Sequence, residues 1–354
     1  MRGVYIATKM WHFPDRLAAL AAGEPAAPVH VRIKPTNVCN HSCYFCAYRT
    51  DAVSLGQDMV VRDRIPREKM ADIVEDLVAM GVEAVTFSGG GEPLLYPGLA
   101  ETITTLSEGG IRIGCLTNGS QLRGKVVDAF ARHGTWIRVS IDGWDPESYS
   151  TYRSVGPEEF NKVIRNLSNF SDRNSECALG ASIIVDERNA SHVADLSRLL
   201  KSCGVSHIKV SGCVIGNDAE ENDAYYARFS ETVRDGITAA KELEDDTFHV
   251  VDHYHDLAGR FEKNYGRCSF LHFLTVIGAD CRVYTCQDKA YTASGILGSV
   301  KDQRFRDFWM SEETQSHMRR IDPSRDCQHH CVADAKNRQL AQYLDADPDH
   351  LAFV

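Results

Sequence analysis

Cys39, Cys43 and Cys46 fall in the short run Cys-Asn-His-Ser-Cys-Tyr-Phe-Cys. An iron-sulfur cube normally takes four protein thiolates, one per iron, so three close thiolates leave one iron open to a further ligand. Zinc is the competing occupant, since it prefers four ligands and His41 inside the loop offers a fourth. A bare iron makes a reactive centre, whereas a filled zinc makes a staple. The loop follows an apolar stretch, Val29, Val31 and Ile33, that reads as a strand.

A reactive loop needs a rigid frame, and the chain supplies one by alternating β-rich runs with amphipathic stretches, the pattern of a parallel sheet with crossover helices. The expected strands are Val29–Ile33, Ala84–Phe87, Ile111–Thr117, Trp136–Ile141, Cys177–Val185 and His207–Ser211. Between them, apolar residues recur at helical spacing in Met70, Ile73, Val74, Leu77 and Val78, in Phe160, Val163, Ile164, Leu167 and Phe170, and in Val193, Leu196, Leu200 and Cys203. These stripes are expected to pack on the sheet. Six β/α units result.

In parallel α/β folds the site forms at the carboxyl ends of the strands, and unusual residues stand there. After the second strand come Ser88, Gly89, Gly90, Gly91, Glu92 and Pro93, where glycines admit close backbone approach and a carboxylate can receive an ammonium. The third strand ends in Thr117, Asn118 and Gly119. In the fourth, Ser140 and Asp142 share a face by period-two alternation and are expected to line the barrel mouth. Arg153 follows Tyr152. Ser182, Lys209 and Ser211 face ligand or pack in the barrel.

The other cysteines divide in two. Cys115, Cys177, Cys203 and Cys213 lie in or beside strands and helices, where a free thiol behaves as a small buried hydrophobe. Cys268, Cys281, Cys286, Cys327 and Cys331 fall in an irregular C-terminal segment, with His329 and His330 nearby.

The CxxxCxxC loop, Phe45 before its third cysteine, and the Gly90-Gly91-Glu92 turn one strand later resemble the radical S-adenosylmethionine superfamily. The resemblance implies an α/β fold, a partial (β/α)6 barrel whose open iron chelates S-adenosylmethionine and cleaves it to a 5'-deoxyadenosyl radical. It implies that Gly90, Gly91 and Glu92 bind the methionyl amino group, that Asn118 lies beside the nucleoside, that Ser140 and Asp142 meet ribose hydroxyls, and that Arg153 meets the methionyl carboxylate.

The C-terminal segment resembles the SPASM domain and its shorter form, twitch, which bind auxiliary clusters. A full SPASM domain uses seven cysteines, and five are present here, so one auxiliary 4Fe-4S cluster is expected, on Cys268, Cys286, Cys327 and Cys331. A structural zinc with His329 or His330 competes with it. Cys281 is left over at a hairpin position where relatives commonly carry glycine. It is a catalytic hydrogen-atom donor, a fifth ligand, or a structural thiol. The expected organisation is an extension over 1–28, the barrel over 29–245 and the auxiliary domain over 246–354.

The composition fits this. The chain has 354 residues, 43% hydrophobic and 25% charged, with net charge -10, which argues against nucleic acid as a main partner. No apolar run is long enough to span a membrane. Twelve cysteines without a secretion signal point to reduced thiolates in the cytoplasm. The expected partners are a small-molecule substrate and a reducing donor such as flavodoxin or ferredoxin. The expected reaction is hydrogen abstraction from a carbinol carbon of a sugar-like or aminocyclitol substrate, ending in epimerisation or dehydrogenation. The short N-terminal extension favours a small molecule over a peptide. Asp246, Asp252, Asp256, His253 and His255 are candidates for binding its hydroxyls and amines, or an exposed face. A peptide maturase and a zinc-stapled binding protein are the alternatives.

Overall fold

The computed structural model describes residues 5–53, 55–254 and 260–353. Ten strands form one sheet in the order β10-β9-β8-β1-β2-β3-β4-β5-β6-β7. The first six are β1 (His30–Ile33), β2 (Ala84–Phe87), β3 (Arg112–Thr117), β4 (Trp136–Ser140), β5 (Ala178–Val185) and β6 (His207–Gly212). All pair in parallel with their sequence neighbours, as the alternating pattern requires. This is the partial (β/α)6 barrel expected from the sequence.

Two additions extend it. β7 (His249–Asp252) pairs in parallel with β6, so the sheet runs past the expected boundary at 245. On the other edge, β8 (Leu274–Ile277) pairs in parallel with β1, and β9 (Arg282–Tyr284) and β10 (Ile296–Ser299) follow antiparallel. The auxiliary segment thus begins as a continuation of the barrel sheet.

The helices that matter for the site are α1 (Pro14–Ala22), α2 (Arg67–Ala79), α3 (Leu99–Glu108), α4 (Gly124–His133), α5 (Pro146–Arg153), α6 (Glu158–Ser171) and α7 (Val193–Ser202). The apolar stripes of α2, α3, α4, α6 and α7 cover the outer face of the sheet, whereas Leu17 of α1 packs in a separate cluster with Met10, Val29, Phe273 and Leu340. Ile73 and Leu77 of α2, Val163 and Leu167 of α6, and Leu200 of α7 are fully buried against Val31, Ile33, Val85, Phe87, Ile137 and Val139. Alternate strand residues therefore face the lumen, among them Arg32, Thr86, Arg138, Ser182, His207 and Lys209. Cys115, Cys177 and Cys203 lie in this core, as small hydrophobes should. Among the described residues no helix is long and apolar enough to cross a membrane.

Candidate active site

The chain leaves β1 through Pro35–Val38 and is held at once on both sides. Asn37 donates its backbone N–H to Asp63 and its amide to the Val60 carbonyl at 3.0 Å. On the other side Gly91 and Glu92 donate to the carbonyls of Thr36 and Val38. A methyl on Gly91 would stand 2.2 Å from the Val38 oxygen, so only glycine lets the two loops meet. The cysteine loop then coils in turns, with Cys46 donating to the Cys43 carbonyl and Ser42 to that of Arg153.

Glu92 is not turned out toward a ligand. Its Oε1 accepts from Leu94 N–H at 3.0 Å and from the Thr117 hydroxyl at 2.6 Å, and its Oε2 from Asn118 N–H at 2.7 Å. Through these bonds the carboxylate braces the end of β2 to that of β3. Asn118 extends the brace, donating to Asn40 at 3.0 Å, while Asn40 donates to Ser120 at 2.8 Å. Asn118 therefore positions the cysteine loop from below. What Gly90 and Gly91 offer a ligand is backbone.

Ser140 and Asp142 part company. Ser140 is the last residue of β4, and its hydroxyl meets that of Ser182 at 3.2 Å in the lumen. Asp142 lies past the strand end. One of its oxygens accepts Ile184 N–H at 2.7 Å and the other is closed on the Arg153 guanidinium. Through these two contacts Asp142 ties the end of β4 to β5 and to Arg153. α5 delivers Arg153 because Asp145 and Ser148 form a reciprocal capping box behind Pro146. Burial works against the Arg153 charge, but Asp142 and then Cys43 outweigh it and raise its pKa. Its Nη1 lies 3.4 Å from Cys43 Sγ, so it touches the expected metal loop.

Below the mouth the lumen is layered by register. Arg138, Gly180, His207 and His249 lie side by side on β4 to β7, with Ser140, Ser182, Lys209 and Val251 one layer above. A methyl on Gly180 would stand 2.3 Å from the His207 ring, so glycine there lets the imidazole lie across the strand. The Tyr5 phenol reaches into this layer, 2.9 Å from Arg138 Nη1 and 3.0 Å from His207 Nε2. Nothing in the sequence around Tyr5 signalled that. His253 packs edge-on against the same ring, Asp252 ends β7 and Asp246 is exposed. Asp256 and His255 lie outside the described residues.

Lys34 also escaped the sequence reading. It follows β1, is 1% exposed, and donates to the Tyr48 hydroxyl at 2.6 Å and the Gly89 carbonyl at 2.8 Å. Burial first, and then Arg32, lower its pKa to about 7.

The auxiliary thiols converge. Burial first pushes the Cys286 thiol up, then Asp288, and then Cys268, Cys331 and Cys327 add to it. Cys268 and Cys331 rise to about 11 and about 12, chiefly through burial. Two buried lysines lean in: Lys263 donates to the carbonyls of Arg260, Phe261 and His329, and Lys289 to that of Asp326. Cys281 stands apart. It is 4% exposed in the hydrophobic core, at a left-handed turn with φ 61°. The charges that bear on it are Asp280, Lys69, Lys301 and Asp63, with no member of either thiol set among them. The structure does not bring it to the cysteine loop.

Both thiol sets fit clusters by their donor chemistry. Burial chiefly raises Cys39 and Cys46, and Cys43 adds to both, so the three thiols share one partly buried loop. A tetrahedral zinc draws its sulfurs to about 3.8 Å of one another, given a Zn–S distance of about 2.3 Å. Among the described residues, no three of the seven thiols lie mutually within 4.8 Å, which is too open for one ion. His41 points its Nε2 at Glu159, 3.4 Å away. Among the described residues, Cys286, Asp288 and His329 are the one group that brings ligand atoms that close together, at the edge of the auxiliary set.

Residues 33–200 match the family model described as the radical SAM superfamily, and residues 268–332 match the SPASM iron-sulfur cluster-binding domain. The chain is 27% identical over 239 residues to an S-adenosylmethionine-dependent nucleotide dehydratase of Lacinutrix mariniflava, covering 64% of this chain and 48% of that protein. It is 24% identical over 263 residues to the sporulation killing factor maturation protein SkfB of Bacillus subtilis, covering 73% and 60%. It is 28% identical over 193 residues to a dTDP-4-amino-4,6-dideoxy-D-glucose ammonia-lyase of Streptomyces venezuelae, covering 50% and 37%. The matched stretches thus span less than two thirds of each relative. The solved structure of Streptococcus suis SuiB with its precursor peptide SuiA superposes with a TM-score of 0.62 at 17% identity, covering 92% of this chain and 76% of that one. That likeness is one of fold.

Proposed function

Since the chain belongs to the radical SAM superfamily, with a SPASM iron-sulfur domain behind its barrel, we propose that it oxidises a carbinol carbon of a sugar-like small molecule held in the lumen. The observation that carries this reading lies on β1 and its exit. Lys34 bears electrostatically on Cys46 of the three-thiol loop, and Arg32, two residues earlier, bears on Cys286 of the four-thiol set. A ligand in the lumen therefore sits between both thiol sets.

Cys39, Cys43 and Cys46 would hold the cluster that, with S-adenosylmethionine, supplies hydrogen-atom abstraction, and Cys268, Cys286, Cys327 and Cys331 the one that accepts an electron. The chain's own groups do the rest. Ser140 and Ser182 offer paired hydroxyls to a polyol. Lys34, near neutrality, takes the proton that leaves the carbinol oxygen as the ketone forms. Asp142 and Arg153 hold the loop in place. With Cys281 packed in the hydrophobic core, that thiol is not the hydrogen-atom donor an epimerase would need, and dehydrogenation is the reading favoured here. The names of the two small-molecule relatives, a nucleotide dehydratase and a dTDP-sugar ammonia-lyase, support a substrate of this size.

SkfB favours a second reading, the same chemistry on a peptide. Anaerobic incubation with S-adenosylmethionine, dithionite and candidate sugars separates the two. Equal amounts of 5'-deoxyadenosine and ketone support the first, and 5'-deoxyadenosine that forms only with a peptide overturns it. A flavodoxin or ferredoxin in the cytoplasm would stand in for dithionite.

A further inference from the structure

The lumen carries more positive charge than a neutral sugar can use. Arg32 on β1 and Arg138 on β4 both project from lumen-facing positions and bear on each other. Among the described residues, Arg32 Nε and Nη1 are shielded from solvent with no hydrogen-bond partner, and so is Arg138 Nε. Arg138 Nη1 lies 2.9 Å from the neutral Tyr5 phenol. The acidic groups that bear on Arg32 are Tyr48, Asp288 and Cys286, and the Asp288 Oδ2 is already taken by Val332 N–H at 2.9 Å. The neighbouring histidines register the excess. Burial first, then Arg32, lowers His30 to about 3, and burial followed by Arg138 lowers His207 to about 4. Both are neutral at physiological pH, so neither adds to the charge nor relieves it.

Burying an unpaired guanidinium is costly, and the cost is recovered where a ligand brings the countercharge. One carboxylate saturates one guanidinium fork. Here two forks on separate strands leave three nitrogens without acceptors, which calls for an anion with more oxygens. We propose that the lumen binds a phosphorylated small molecule, its phosphate or diphosphate oxygens on Arg32 and Arg138 and its carbinol end raised toward Ser140, Ser182 and the cysteine loop. The inference rests on the function proposed above, since it gives that substrate its handle.

Calorimetric titration of the reconstituted full chain with UDP, inorganic pyrophosphate and succinate tests it. UDP and pyrophosphate should bind, with succinate at least tenfold weaker. Arg32→Met and Arg138→Met should each weaken UDP about tenfold to a hundredfold, the range for a lost charge-assisted hydrogen bond, while the exposed Arg123→Met should not. Absence of UDP and pyrophosphate binding, succinate binding as tight as theirs, or full affinity in both lumen variants overturns the assignment. Without ligand, Arg32→Met should melt no lower than the parent protein, because it removes an uncompensated charge. A clearly lower melting temperature marks a structural arginine and equally overturns it. 5'-Deoxyadenosine formation is scored separately: UDP binding without it defeats the radical reading and leaves the phosphate handle standing.

Discussion

The Arg153 guanidinium closes on the Asp142 carboxylate in a pair sealed from solvent, and the same guanidinium touches the sulfur of Cys43. The last residue of α5 is thereby fastened to the end of β4 and to the metal loop. Asp142→Asn strands the Arg153 charge in the interior. The expected loss is about 3–5 kcal/mol of stability, read by denaturant unfolding. A loss below about 1 kcal/mol would show that the pair does not hold the loop.

The two thiol sets should separate by substitution. The triple variant Cys39→Ala, Cys43→Ala, Cys46→Ala should fall from about eight irons per chain to about four, one cube of the two remaining, and lose 5'-deoxyadenosine formation. Cys286→Ala should lose the other cube and keep S-adenosylmethionine cleavage. Iron and sulfide analysis of the anaerobic protein, with electron paramagnetic resonance, checks both. Zinc without sulfide in the parent protein would refute the assignment.

Cys281 should prove structural. Cys281→Gly removes a small buried side chain but relieves a left-handed backbone, whose cost for a non-glycine residue is about 1–2 kcal/mol. The two effects oppose each other, so stability should change by about 1 kcal/mol or less and turnover should persist. Turnover in deuterated water should leave the substrate carbon unlabelled. Deuterium at that carbon, lost in the Cys281→Gly variant, would restore the thiol as donor.

Acid should weaken the fold before the carboxylates titrate. The unfolded imidazoles of His30 and His207 protonate near 6.5, whereas burial holds the folded rings neutral down to about 3 and about 4. The unfolded chain binds the extra protons in that window, so stability is complete above 6.5 and falls as pH drops below it. Each ring should cost about 1.4 kcal/mol per pH unit. Urea unfolding at pH 7.5 and 5.5 measures the slope, and His207→Gln should flatten it. A slope unchanged in that variant would remove His207 as a contributor.

The parts of the fold that repeat were readable from the residues. Six β-rich runs with stripes of buried Ile, Leu and Val between them dictated the barrel, and Cys39, Cys43 and Cys46, taken with the Gly90-Gly91-Glu92 turn, carried the family resemblance from which their chemistry was expected. β7 was missed because His249 and Asp252 flank only two apolar residues, and its pairing with β6 is decided by tertiary neighbours. The bracing contacts of Glu92 and Asp142 were hidden for a related reason. A carboxylate beside a glycine turn looks free in sequence, and only the folded chain shows that Leu94, Thr117, Asn118, Ile184 and Arg153 have claimed its oxygens. Tyr5 and Lys34 carried no local signal, because their surroundings come from strands far along the chain.

β1 shares its backbone ladder with β2 on one side and β8 on the other. The exit of β1 that carries the three-thiol loop and the strand that follows Cys268 are therefore parts of one continuous sheet, and the two thiol sets share a single backbone frame.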